Sequence, residues 1–262
     1  MRGILLLSAF LILFTNVLSQ PYQADTVLLL MGSRYELTAI HEDENTAKAA
    51  LYAGIEEIKR IENLISSWKV TSQTSAINKN AGLEPVKIDK ELFDLVARSI
   101  KVSELTEGAF DISFGALGEV WDVKKKMEFL PPHSAIDSAL ELVNYKNIIL
   151  NRATQPVYLS KKGMKIGFGA IGKGYSANRA KAAMMKLGIQ NGLVNAGGDL
   201  TAWGKQITGD TWKIGIADPE KKTEFIAWLD ARNQSIVGGT RISHDRPGPL
   251  RFTGCQSAPG RH

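Results

Sequence analysis

The sequence predicts an α+β protein, with mixed sheets and packed helices in two interleaved lobes and a ligand in the cleft between them. Three observations carry this prediction. Apolar or alternating runs of strand length occur towards both ends of the chain, and two long stretches in the first half have helical spacing. A glycine-rich turn, "KIGFGAIGKGYSANRAKAAMMKLG" (165–188), joins a strand-like run to a further helix. The 262 residues, 44% hydrophobic and 23% charged, suffice for one large domain or two small ones with ample core. A net charge of +5 without a basic run interleaved with aromatics gives no indication of nucleic-acid binding.

The first nineteen residues read as a secretory signal peptide, with Arg2 as the positive end, an apolar run from Ile4 to Phe14 and a cleavage point after Ser19. An uncleaved membrane anchor is the alternative reading. No Cys follows the apolar run, so a lipoprotein attachment site is not expected, and Cys255, alone of its type, allows no intramolecular disulfide. The mature chain is expected to be exported and soluble.

"TVLLLMGSRYELTAI" (26–40) predicts two strands broken at Met31-Gly32-Ser33, the second with Tyr35, Leu37 and Ala39 on one face. Glu44 to Ser66 has helical spacing through Ala47, Leu51, Ile55, Ile58, Ile61 and Ile65, with Glu56–Arg60 as an i,i+4 ion pair. A polar loop, "SSWKVTSQTSAINKNAG", follows. A second helix is predicted over Lys90–Leu105, burying Leu92, Phe93, Val96 and Ile100. "TEGAFDISFGALGEVWD" (106–122) is rich in Gly and aromatics without periodicity. A short helix near 134–142 and the strand-like "NIIL", "PVYL" and "MKIG" lead to the glycine turn. The helix after that turn places Ile171, Tyr175, Asn178, Ala182 and Met185 on one stripe and closes at Gly188. "GLVNAGGDL" is a short strand ending in a Gly pair and an acid, and "TWKIGIAD" and "EFIAWLDARNQSIV" read as two more strands. Residues 238–262, crowded with Gly, Pro and Arg, predict an irregular tail without strand or helix.

The glycine turn carries two nucleotide-binding spacings at once. Gly167-x-Gly169-x-x-Gly172 has the dinucleotide spacing, with a strand-like run before it and a helix after it, but the acid that should hold a ribose is poorly placed. Gly167-x-x-x-x-Gly172-Lys173 has P-loop spacing, but Gly174 stands where a Mg²⁺-binding hydroxyl is required. Common to both are bare backbone, a helix N-terminus and the charge of Lys173, which suit a diphosphate. A plain bend packing the helix on its neighbours, with Lys173 solvated, remains the other reading.

Several ordered blocks together resemble the FAD:protein FMN transferases, the ApbE family. They are Met31-Gly32-Ser33-x-Tyr35, "ENLISSWKVTSQTSAIN", "GAFDISFGAL", and "GFGAIGKGYSANRA" with "LVNAGGDL". They fall within residues 20–237, the span expected to form the domain. The resemblance implies transfer of FMN from FAD to a Thr or Ser hydroxyl of a target protein through a phosphoester bond, with release of AMP and dependence on Mg²⁺. It implies FAD contacts from Met31, Trp68, Ala109, Phe110, Asp111 and Lys173, and a metal contact from the main-chain carbonyl of Ala170. The implied partners are exported redox proteins carrying an acceptor Thr or Ser. Such targets would place the chain in the periplasm or on the outer face of the inner membrane, associated with that membrane through them. Gly167 stands where the family has an acid. The family's later metal-ligand helix has no counterpart before residue 262, and Ser243, His244 and Asp245 only echo one of its blocks, so the sequence reads as an incomplete member. The alternatives are an exported FAD-binding module without transferase activity, and an FAD pyrophosphatase with water as acceptor.

Overall fold

The computed structural model describes residues 20–121, 130–218, 225–231 and 233–237, and the backbone of 255–257. The signal-peptide reading of 1–19 and most of the 238–262 tail lie outside the described residues.

Strands β1 (Tyr22–Leu30) and β2 (Ser33–His41) form a hairpin, followed by α1 (Glu44–Ile65), as the spacing predicts. Asp43 caps α1, its Oδ2 accepting the Thr46 N–H at 2.7 Å. The chain continues through α2 (Gln73–Lys79), β3 (Val86–Lys87), α3 (Lys90–Leu105), a 3₁₀ turn (Gly115–Glu119), α4 (His133–Leu140), β4 (Ile148–Leu150) and β5 (Pro156–Leu159). After the glycine turn come α5 (Gly172–Lys186), β6 (Asn191–Ala196), β7 (Asp199–Trp203), β8 (Trp212–Ala217), β9 (Phe225–Ala231), β10 (Gln234–Val237) and β11 (Cys255–Ser257).

Three antiparallel sheets result, in the orders β1-β2-β6-β7-β10, β11-β8-β9 and β3-β5-β4. The five-stranded sheet is covered on one face by α1 and α5. Tyr35, Leu37 and Ala39 of β2 meet Ala47, Ala50, Leu51, Ile58, Ala180 and Met184 there, and burial of this apolar surface is the main stabilising term. Its other face packs Ile40, Leu193, Leu200 and Ala202 against Trp212, Ile214 and Ala231 of the second sheet. The other lobe gathers α2, α3 and the third sheet around Leu92, Val96, Ile112, Val157 and Met164. Helix α1 belongs to both lobes, since its last turns add Ile61, Leu64 and Ile65 to this second core. That shared helix is what interleaves them.

Five local expectations are corrected. The polar loop after α1 contains α2, because Ser72 caps it by accepting the Ser75 N–H at 2.9 Å. Arg60 pairs with Glu57 and Glu91 rather than Glu56, which binds Lys59. The stripe buried by α5 is Gly172, Ser176, Ala177, Ala180 and Met184, with Asn178 exposed, because small residues face α1 and Tyr175 is drawn to Glu91. "EFIAWLDARNQSIV" is two strands in different sheets, β9 on β8 and β10 on β7. Within the tail, the backbone of Cys255–Ser257 pairs with β8, for which a ladder needs only main-chain groups.

"MKIG" is a further correction, and it decides the site. Residues 164–167 form no strand, only a parallel bridge between Lys165 and Phe114. Met164 and Ile166 are nevertheless fully buried. The Ile166 peptide groups are satisfied by one side chain. Asn78 Nδ2 donates to the Ile166 carbonyl at 2.9 Å, and the Ile166 N–H donates to Asn78 Oδ1 at 2.8 Å. The Gly167 N–H then donates to the Ile112 carbonyl at 2.8 Å. Asn78→Ala leaves a buried donor and a buried acceptor unpaired and is expected to cost about 2–4 kcal/mol of stability. Urea titration checks this, and a loss below about 1 kcal/mol contradicts it.

Candidate functional site

Two hairpin turns meet at one end of the five-stranded sheet. The β1–β2 turn has positive φ at both central residues, Met31 (50°) and Gly32 (71°), and the β6–β7 turn has it at Gly197 (61°) and Gly198 (103°). Such turns match the twist of the strands they join, and they favour glycine. The Gly198 N–H donates to Asn195 Oδ1 at 2.9 Å. The turns abut, since a Cβ on Gly197 would fall 3.0 Å from Ser33 Cβ. Met31 is the one side chain at their four central positions, and its left-handed backbone carries strain on the order of 1–2 kcal/mol.

The start of α5 comes down on this end of the sheet. Its cap residue Ile171 makes no side-chain capping bond, and Lys173 Nζ lies 3.7 Å from Asp199 Oδ2, the first residue after the Gly pair. Ser176 Oγ donates to the Lys173 carbonyl at 2.8 Å and sits 2.9 Å from the Tyr35 hydroxyl, which also lies 3.1 Å from Met31 Sδ. Met31 and Lys173, far apart in sequence, thus meet through Tyr35 and Ser176. Gly169 and Ala170 are exposed. A Cβ on Gly169 would touch only Phe114, at an ordinary 3.7 Å, and its φ is not positive. The fold itself places no demand for glycine at 169, so bare backbone there suits a ligand's close approach.

The remaining sequence-predicted residues are arranged around this loop. Ala109 is exposed and Phe110 is half-buried against the second core. Asp111 turns both oxygens inward. Oδ1 accepts the Ser113 N–H and hydroxyl at 2.8 and 2.7 Å, and Oδ2 accepts the Tyr145 N–H at 2.7 Å, so the carboxylate shapes the 109–114 loop. That loop reaches the glycine turn through Ile112 and Phe114. The Phe114 ring lies 3.6 and 3.7 Å from where Cβ atoms of Gly167 and Gly169 would be. Trp68 follows α1 with its N–H on Ser66 Oγ at 3.2 Å and its side chain exposed. Ala170 offers a main-chain carbonyl in the exposed turn. Among the described residues no group of three or more His, Cys, Asp or Glu is arranged to hold a metal ion. One carbonyl falls well short of the six oxygens Mg²⁺ takes, so the described residues do not make the expected metal site.

Sequence reasoning placed Tyr35 on one face of a strand and Asn78 and Phe114 in irregular stretches, and it left Ser176 off the buried stripe of its helix. It saw the Gly-Gly-Asp run without seeing that the acid opens a new strand. The usable signal was a turn glycine pair followed at once by a carboxylate.

Asp199 is buried, and burial pushes its carboxyl above the ordinary value while Lys173 pulls it back down. A raised acid favours the fold at low pH, and that contribution is lost as pH rises through the folded-state pKa. Ionised Asp199 is therefore a liability to stability at neutral pH. Asp199→Asn is expected to raise the melting temperature by about 2–4 °C at pH 7, a gain that fades towards about pH 3. Thermal scans across that range check the sign, and a lower melting temperature at pH 7 contradicts it.

A sequence profile described as the ApbE family matches residues 31–241. The chain is 30% identical over 210 residues to an FAD:protein FMN transferase of Klebsiella pneumoniae, covering 80% of this chain and 63% of that one. It is 26% identical over 229 residues to that of Haemophilus influenzae, covering 83% and 66%. The chain thus spans just under two thirds of these relatives' lengths. Among solved structures, the ApbE protein of Thermotoga maritima superposes with a TM-score of 0.74 at 28% identity, over 82% of this chain and 69% of that one. The flavin transferase ApbE of Vibrio cholerae shares the fold with a TM-score of 0.77 at 18% identity, over 88% and 75%. The two abutting turns, the glycine loop and the helix that follows it all fall inside the matched region, and the chain belongs to the ApbE family.

Proposed function

We propose that this chain binds FAD across the glycine turn and transfers its FMN half to a Thr or Ser hydroxyl of a target protein, releasing AMP. The observation that carries this is the meeting of Lys173 and the uncapped α5 N-terminus with the Met31 and Gly197–Gly198 turns, through Gly172 beside Met31 and Lys173 beside Asp199, directly after the exposed Gly169–Ala170 backbone. A diphosphate there would face N–H groups, the positive end of the α5 dipole and a full cation. In the reaction the acceptor oxygen bonds to the FMN phosphorus, the bridging P–O bond breaks, and AMP leaves with that electron pair. The hydroxyl proton passes to solvent. Phosphoryl transfer of this kind needs placement and charge stabilisation more than a covalent catalyst, and Lys173 supplies the charge.

Mg²⁺ enters this reading from the family likeness. The described residues contribute the Ala170 carbonyl alone, and no step here is derived through a metal. The targets would be redox proteins outside the cytoplasm, if residues 1–19 act as a signal peptide. Their own anchorage would then hold the chain at the outer face of the inner membrane. No described helix is long and apolar enough to cross a membrane.

The test incubates the protein with FAD and an acceptor protein, with Mg²⁺ or with EDTA, and measures AMP and covalent flavin fluorescence. Both are expected with Mg²⁺, and Lys173→Ala is expected to slow AMP release by about 100-fold. Because that change also leaves the buried Asp199 carboxylate without its cation, the same loss is expected in Lys173→Ala/Asp199→Asn, which removes the stability cost. FAD retained without AMP would point to a binding module. AMP with free FMN and no labelled acceptor would point to hydrolysis.

A further inference from the structure

A buried hydroxyl pair ties together the two segments that this reading puts on either side of the flavin nucleotide. Tyr35 is wholly inaccessible, and so is Ser176. Ser176 gives its proton to the Lys173 carbonyl at 2.8 Å, so its oxygen accepts from the Tyr35 hydroxyl 2.9 Å away. The Tyr35 hydroxyl is also within 3.1 Å of Met31 Sδ, a weak acceptor that shares the same proton. One phenol oxygen thus touches the side chain of a strained turn and, through one hydroxyl, the first turn of α5. Burial pushes the Tyr35 hydroxyl up to about 12, so it remains a donor at every pH at which the protein works.

The surroundings leave this pair little other work. Ala177, Ala180 and Met184 already pack α5 onto α1 and the sheet, and a ring of Glu57, Arg60, Glu91, Arg179 and Tyr175 fixes the helix on its outer side. A phenylalanine would fill the Tyr35 site equally well as hydrocarbon. The hydroxyl adds a fixed register between Met31 and Lys173, which the packing does not supply.

We propose that Tyr35, acting through Ser176, is a positioning residue that sets Lys173 and the Met31 turn in place for the nucleotide. This rests on the FAD reading above. The test compares Tyr35→Phe and Ser176→Ala with Ser99→Ala, which removes an equally buried hydroxyl bonded to the Leu95 carbonyl at 2.8 Å, away from the site. FAD affinity by flavin fluorescence is expected to fall about tenfold in each of the first two variants, the loss of one hydrogen bond's worth of order. The double variant is expected to be no worse than the weaker single one, and Ser99→Ala to stay within about twofold of the parent. Amide hydrogen exchange, read without ligand, is expected to speed up in peptides covering 31–35 and 170–176 in the site variants alone. Unchanged affinity and exchange in Tyr35→Phe, or an equal loss in Ser99→Ala, overturns the proposal. A parent protein that fails to bind FAD while the exchange pattern holds overturns the flavin reading and leaves the positioning role standing.

Discussion

The Ile166 peptide, bonded on both sides by the Asn78 amide, is the constraint on which the site depends. A buried stretch of irregular backbone is normally excluded, because its N–H and C=O groups find no partners. Here a primary amide, which carries a donor and an acceptor at the spacing of a peptide, replaces the missing neighbouring strand. With Gly167 on Ile112 and Lys165 bridged to Phe114, the segment can enter the core and then emerge abruptly as the exposed Gly169-Ala170 turn. A regular strand would carry its ladder on past this point and would not present bare backbone to a ligand.

Helix α5 has to be held in one place while leaving its N-terminus uncapped. Its outer side is fixed by charge. Glu57 is held below the usual carboxylate range chiefly by Arg60, and Glu91 ends there too, the burial that opposes ionisation being outweighed by Arg60 and Tyr175. Exposed pairs of this type are individually weak, but two carboxylates shared by two guanidiniums from three helices restrict sliding in a way that single pairs do not. On the inner side, small residues allow the close approach to α1, and two hydroxyls give the final register.

Left-handed backbone at a non-glycine residue also occurs at Glu107, Gln155 and Asn233, but at this end of the sheet two departures from local rules come together. Met31 occupies a left-handed turn position better suited to glycine or asparagine, and Asp199 is a carboxylate kept where burial opposes its charge. Neither helps folding. Their coincidence beside Lys173 is the usual mark of a site whose geometry is set by something other than stability.

Much of the architecture was legible in the sequence because it depends on short-range pattern. The period-2 run through Tyr35, Leu37 and Ala39, the helical spacing of α1 and α3, and the Gly188 close of α5 (φ +90°) each follow from one element burying one face. The glycine spacing and the family blocks also marked Met31 and Lys173 as candidates. The sequence could not show that these two meet, because the link runs through Tyr35 and Ser176, 141 residues apart, and exists only once β2 and α5 are packed face to face. It misread "MKIG" as a strand for the same reason: apolar residues announce burial, but whether a ladder or a distant asparagine satisfies the backbone is decided by what the tertiary fold brings alongside.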